Sequence, residues 1–178
     1  SKLEEAILKE GPETVAAFIL EPVLGSAGGA SVPPPLYLRR IQEICKKHNI
    51  LCIADEVLCG SGRTGKFFAS EHFQFQPDMA ILAKGINGGY APLSALLVKE
   101  SHVNEMKNGS GSFSHAQTFM QAPCMVAAGL AVFDYFQKNK LLQNCEKMGE
   151  ILQKKLRQEL LDVPHVGWIS GIGLVAGI

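Results

Sequence analysis

Three short apolar runs constrain this chain more than any other feature: VAAFILE at 15–21, ILCIADE at 50–56 and PDMAILA at 77–83. Each is short for a core helix and too continuously apolar for a strand with one wet face. Each therefore reads as a strand buried on both sides. Between the first two, LYLRRIQEICKKHN (36–49) sets Leu38, Ile41, Ile44 and Cys45 at a helical period. Strands that alternate with helices imply an α/β domain, its mostly parallel sheet flanked by helices. LSALLV (93–98) reads as a fourth strand, and a short helix is expected over 67–74. Further helices are predicted over 2–10, 122–137 and 140–161, the last with Cys145, Met148, Leu152 and Leu156 on one stripe. PVLGSAGGASVPPP (22–35) is a long loop, punctuated by glycine and proline. GLVAGI (173–178) begins another strand, and an apolar strand at the terminus suggests a piece of a longer protein.

The bulk numbers remove several classes of function. Zero formal net charge over 178 residues, with Lys and Arg scattered, leaves no footprint for nucleic acid. No apolar run approaches the roughly 18 residues that suggest a membrane span. SKLEEAILKEG is charged and amphipathic, which does not read as a secretory signal. Five cysteines without a CxxC pair suit a reducing compartment, and a cytoplasmic location is expected. Cys45 and His48 have a spacing that metal ligands use, but no second ligand pair follows, and no metal is expected.

CGSGRTGKFF (59–68) nearly spells two phosphate signatures: G-x-G-x-x-G through Gly60, Gly62 and Gly65, and G-x-x-x-x-G-K ending at Lys66. A P-loop needs Ser or Thr after its lysine to hold magnesium, and Phe67 stands there. A dinucleotide loop has its acid about 20 residues downstream. Here Asp55 and Glu56 precede the glycines and would repel phosphate. Those two acids close an apolar strand, and ligands of open α/β sheets bind beyond the carboxyl ends of strands. Position alone leaves Asp55 open to a second reading, as a loop cap.

Lys84 directly follows the third strand and is the only charged residue from Ala80 to Val98. An amine among apolar neighbours sheds its proton more readily and attacks carbonyls. The alternative is a lysine that snorkels to the surface. Gly85, Gly88 and Gly89 permit close approach of backbone to a bound group. A carboxylate and a lysine at the tips of two strands, among glycine turns, suit pyridoxal phosphate: the amine binds its aldehyde, and the acid keeps the ring nitrogen protonated.

The blocks EPVLGSAGG (21–29), IADEV (53–57), GRTGKFFASEHF (62–73), PDMAILAKGINGGYAPLSALLV (77–98) and HAQTF (115–119) resemble, in order and spacing, those of the class III aminotransferases. These are pyridoxal 5'-phosphate enzymes of fold type I. The resemblance implies that residues 1–137 are part of the cofactor-binding large domain. Residues 138–178 would be the connecting helix and the start of a small C-terminal domain. Lys84 resembles the lysine that forms the Schiff base and shuttles the proton, and Asp55 the partner of the pyridinium nitrogen. Val57 resembles an aliphatic residue packed on the ring. Thr118 resembles a threonine that reaches the cofactor phosphate of a neighbouring subunit, which implies a homodimer with shared active sites. Glu21 resembles a glutamate at the substrate entrance. The implied substrates are a small amino donor, ω-amino compounds included, and a keto acid acceptor. Related racemases, aminomutases and decarboxylases share the early chemistry, and a non-catalytic binding protein on the same fold is a further alternative.

Some members carry Gln where Leu58 stands, so that polar contact with the ring hydroxyl is absent or supplied elsewhere. The family's phosphate loop and stacking aromatic lie upstream of these blocks, and its small domain with a substrate arginine lies downstream. GRTG resembles a structural loop of the family. His115 is read as ordering its own loop through a hydrogen bond, Tyr90 and Trp168 as packing residues, Tyr37 and Arg39 as helix surface, and Asp78 as a turn residue.

Overall fold

A computed structural model describes residues 1–178. The Ser1 hydroxyl accepts the Glu4 amide at 3.3 Å and opens α1 (Lys2–Glu10), as a capping serine does. β1 (Ala17–Leu20), α2 (Tyr37–Lys47) and β2 (Leu51–Asp55) follow. One 3₁₀ turn (Ala69–Phe73) precedes β3 (Met79–Leu82) and another (Lys84–Asn87) follows it. The chain continues through β4 (Ala95–Val98), α3 (Glu100–Asn108), α4 (Pro123–Lys138) and α5 (Leu141–Leu160) to β5 (Ser170–Ile172) and β6 (Val175–Gly177).

The main sheet has the order β1-β2-β3-β4. β1, β2 and β3 are parallel, and β4 returns antiparallel to β3. The expected mostly parallel α/β architecture is therefore present. Two local expectations change, and one helix was not expected. ESHVNEMKN is too polar to show an apolar period, yet it is helical as α3. The short helix expected over 67–74 is a single 3₁₀ turn. GLVAGI does not start one strand: the chain reverses at Gly173, and β5 pairs antiparallel with β6 in a sheet of their own.

Burial of the strands on both sides is found on one face only. Phe18, Leu20, Cys52, Ala54 and Ala80 pack with Ile7 of α1 and with Leu38, Ile41 and Cys45 of α2. On the opposite face Ile19 is 56% exposed and Leu96 51% exposed, with Ile53, Met79 and Ile81 half-buried between them. The reason is placement: α1 and α2 join the core of the first face, whereas Gly129 of α4 packs against Leu93 and Asn87 beyond β3. The cysteines Cys45, Cys52, Cys59 and Cys145 are buried free thiols, and Cys124 is exposed. Burial pushes the Cys52 thiol up to about 12, with Cys45 beside it adding to the rise. His48 turns to Glu4, at 3.2 Å, and Cys45 into the core, so this pair shares no ligand position.

Asp78 does more than open a turn. Its Oδ2 accepts the Cys52 amide at 2.9 Å, and its Oδ1 accepts the Lys99 ammonium at 2.8 Å. Its own amide donates to the Cys52 carbonyl at 2.7 Å. One side chain thus ties β2, β3 and the start of α3 at the amino edge of the sheet. Burial raises its pKa, but the Cys52 amide and Lys99 outweigh that and hold it below the ordinary value. A lowered folded-state pKa stabilises above the unfolded value of about 3.9 and ceases to do so as pH falls through the folded one. Asp78→Asn should lower unfolding free energy by about 1.5 kcal/mol at neutral pH, allowing for the half-exposed lysine. The difference from the parent should shrink below about pH 4 in denaturant titrations.

Candidate active site

Parallel pairing brings three of the marked side chains to one edge. Leu20 pairs with Ala54, and Asp55 with Ile81. Glu21, Asp55 and Lys84 thus leave the carboxyl ends of three adjacent strands, which lie about 4.8 Å apart. Lys84 stands three residues beyond the register partner of Asp55.

Adjacent residues of a strand point to opposite faces, and the two acids divide accordingly. Asp55 is half-buried. Its Oδ1 accepts the Val57 amide at 3.0 Å, while Oδ2 accepts no hydrogen bond within the chain. Glu56 is 0% exposed. Its carboxylate accepts the amides of Ala69 at 2.7 Å and Ser70 at 2.9 Å, the first residues of the 3₁₀ turn. Sequence reading left Glu56 without a role. The signal was present in the alternation: one acid of the pair had to point inward, and an inward carboxylate needs donors.

Lys84 has a left-handed backbone, φ +45°, unusual for a residue with a side chain. Such an outlier points to function when its surroundings enforce it. Here Ile86 donates to the Ala83 carbonyl at 3.1 Å and Gly88 to Gly85 at 3.1 Å, closing the turn around the lysine. The expected dry surroundings are not formed by these residues: the side chain is exposed. It lines two hollows. The larger, about 1040 Å³, lies between the 61–63 loop and helices α4 and α5, and the smaller, about 300 Å³, is lined in part by Leu58, Arg63 and Leu174. Asp55 and Glu21 line neither hollow; they stand on the open tip of the sheet.

GRTG is a joint. The amides of Gly62, Arg63 and Gly65 donate to Phe67, Gly60 and Gly62, so they are not free to cradle phosphate. The Arg63 carbonyl accepts the Leu174 amide at 3.0 Å and the Cys145 thiol at 3.3 Å. Gly173, at φ +59°, lies so close to Thr64 that an added Cβ would stand 2.5 Å from its carbonyl carbon. Ser170 donates to the Ala30 carbonyl at 2.9 Å, which seats the hairpin on the 25–30 loop as well.

Val57 is half-buried just after Asp55. Glu21 Oε2 accepts the Gly25 amide at 2.8 Å, and Leu58 lies against Gly25, so its apolar side chain fills space beside Glu21. Thr118 is not drawn into this group: residues 110–121 are exposed throughout, and its hydroxyl bonds to nothing within the chain. His115 makes no ordering hydrogen bond; its ring tilts against Phe113 at 5.9 Å. Tyr90 is 84% exposed, against its reading as a packing residue, whereas Trp168 packs in part against Gly29. No three His, Cys, Asp or Glu side chains are grouped to hold a metal, and no helix is long and apolar enough to cross a membrane.

The family profile described as Aminotransferase class-III matches residues 1–178. The chain is 40% identical over 177 residues to the uncharacterized aminotransferase YodT of Bacillus subtilis, covering 99% of this chain and 40% of that protein. It is 41% identical over 181 residues to a diaminobutyrate–2-oxoglutarate transaminase of Halomonas elongata, covering 100% of this chain and 38% of the relative. The chain thus spans about two fifths of the length of these curated relatives. Among solved structures, the ω-transaminase of Pseudomonas jessenii in complex with PMP is similar with a TM-score of 0.90 and 41% identity, over 98% of this chain and 39% of that one. A transaminase of the marine bacterium Virgibacillus gives 0.92 at 38% identity, over 97% and 39%.

Glycine at position 84 relieves the left-handed strain but adds unfolded-chain entropy. Lys84→Gly should therefore be neutral to stabilising, by up to about 1 kcal/mol in denaturant melts, whatever it does to activity. A clear loss of stability would show that the lysine side chain holds the turn.

Proposed function

This chain belongs to the class III aminotransferases, and on that premise we propose that the protein of which it is part moves an amino group from an amine or amino acid, ω-amino donors included, to a keto acid, with pyridoxal 5'-phosphate as cofactor. The observation that carries the reading is the pairing of Asp55 and Lys84 on adjacent parallel strand tips. The residues fit the group. Asp55 keeps one carboxylate oxygen without a partner in the chain, as a ring N–H requires, and Lys84 holds an exposed amine in an enforced backbone conformation.

When bound, the cofactor supplies an electron sink for charge left on the substrate carbon. Asp55 Oδ2 would accept the ring N–H and keep that nitrogen protonated. Lys84 Nζ would hold the cofactor's aldehyde and, when free, would act as the base that takes a proton at Nζ and gives it back. Val57 would pack on one face of the ring. Glu21, beside Leu58 and Gly25, would set charge at the substrate entrance.

A homodimer is part of the proposal. Its support is Thr118, in an exposed segment next to Phe119, which is 83% exposed, as a residue that serves a neighbouring subunit would be. Residues 138–178 read as the start of a second domain, supported by the separate sheet of β5 and β6. A cytoplasmic location agrees with five free thiols.

Borohydride reduction of the full-length protein with cofactor, followed by intact mass, should add one cofactor per chain and none in Lys84→Ala, which should also lose transamination. Undiminished turnover in that variant would defeat the assignment. Thr118→Val should weaken cofactor affinity roughly tenfold while the protein stays dimeric in light scattering.

A further inference from the structure

We propose that Glu56, which no part of the reaction touches, is the positioning residue for Asp55. The proposal rests on the pyridoxal-phosphate reading above and assigns the side chain that makes Asp55 effective within it. Glu56 uses every polar group it has. Its amide donates to the Ile81 carbonyl and its carbonyl accepts the Gly60 amide, both at 2.9 Å. Its two carboxylate oxygens accept Ala69 and Ser70. The Cys59 thiol lies 3.7 Å from Oε2 and 3.8 Å from the Asp55 carbonyl. Burial, then Glu56 itself, pushes that thiol up to about 12, so it stays protonated and a donor.

These bonds fix the peptide between residues 56 and 57. That peptide carries the Val57 amide, and this amide holds Asp55 Oδ1. The hold on one oxygen orients the other, Oδ2, as the free acceptor at the strand tip. The bond to Ile81 adds spacing, since Ile81 lies three residues before Lys84. The inward acid therefore sets the orientation of the outward acid, while the main chain of the same residue holds β2 against the strand that leads to Lys84. Released from Ala69 and Ser70, residue 56 would let the Val57 amide turn, and Asp55 would lose its fixed rotamer.

The test uses the full-length protein loaded with pyridoxal phosphate labelled with ¹⁵N in the ring. The ring-nitrogen shift reports protonation directly, independent of turnover. In the parent the nitrogen should stay protonated from about pH 6 to 9. In Glu56→Gln, which keeps shape but sets an amide among amide donors, it should titrate within that range, with cofactor affinity down about tenfold. Reconstitution with N-methylated pyridoxal phosphate, whose ring charge needs no acid partner, should bring Glu56→Gln to within about twofold of the parent carrying the same analogue.

A folded Glu56→Gln whose nitrogen stays protonated, with only its melting temperature lowered, overturns the proposal. Should that variant fail to fold, Ala69→Pro removes one donor and leaves Glu56 in place. Phe68 before it is extended (φ −108°, ψ 132°) and position 69 opens its turn, both of which suit proline. It should produce the same titration, and an unmoved nitrogen there also overturns the proposal. If the parent takes up no cofactor, or Asp55→Ala keeps the nitrogen protonated, the underlying reading fails and this one with it.

Discussion

The amide hydrogens of Ala69 and Ser70 converge on a carboxylate with no exposed surface, and the tips of β2 and β3 are arranged around that convergence. Charge-assisted bonds of this kind contribute about 1.5–3 kcal/mol each, and a buried carboxylate stripped of partners costs more than it contributed. Glu56 can therefore stay inside only if the 3₁₀ turn is docked beneath the sheet. Docking this turn also buries Ala69 and Phe73 in the core, so apolar packing and charge satisfaction require the same placement.

From that anchor outward, the site is a matter of register. Parallel pairing puts three strand ends on one edge, the alternation of the strand turns Asp55 away from the core, and the closed turn after β3 holds Lys84 in a strained conformation. At the other edge, Asp78 does the corresponding service for β2, β3 and α3. The sheet is thus clamped at both ends by acids whose partners are mostly backbone amides, and its middle carries only apolar pairs.

Much of this was legible in the chain itself. The apolar runs located all three parallel strands, and the acid and the lysine stand at or just beyond strand ends, as their positions in the chain implied. What escaped had physical causes. ESHVNEMKN has no apolar stripe, so periodicity was silent on a surface helix. GLVAGI is apolar throughout, and only a backbone reversal at Gly173 distinguishes a hairpin from a strand. A continuous apolar run announces burial without saying which segment covers it, hence the half-open face around Ile19 and Leu96. The role of Glu56 required knowing that FFASEHF folds back under the sheet, a long-range fact that spacing does not carry. The roles of Glu21 and Thr118 rest on family resemblance, and their positions are compatible with it without requiring it.

The seam between the C-terminal hairpin and the rest of the chain holds no ion pair: the Arg63 carbonyl lies between Leu174 and Cys145, Gly173 presses on Thr64, and Ser170 and Gln153 donate to main-chain carbonyls. A junction of peptide groups, a hydroxyl and a side-chain amide carries no formal charge. Its alignment is consequently indifferent to ionic strength and acidity, unlike the clamp at Asp78. Arg63, Leu174 and Cys145 also line the larger hollow beside Lys84, so the walls of that space keep their spacing wherever the junction holds.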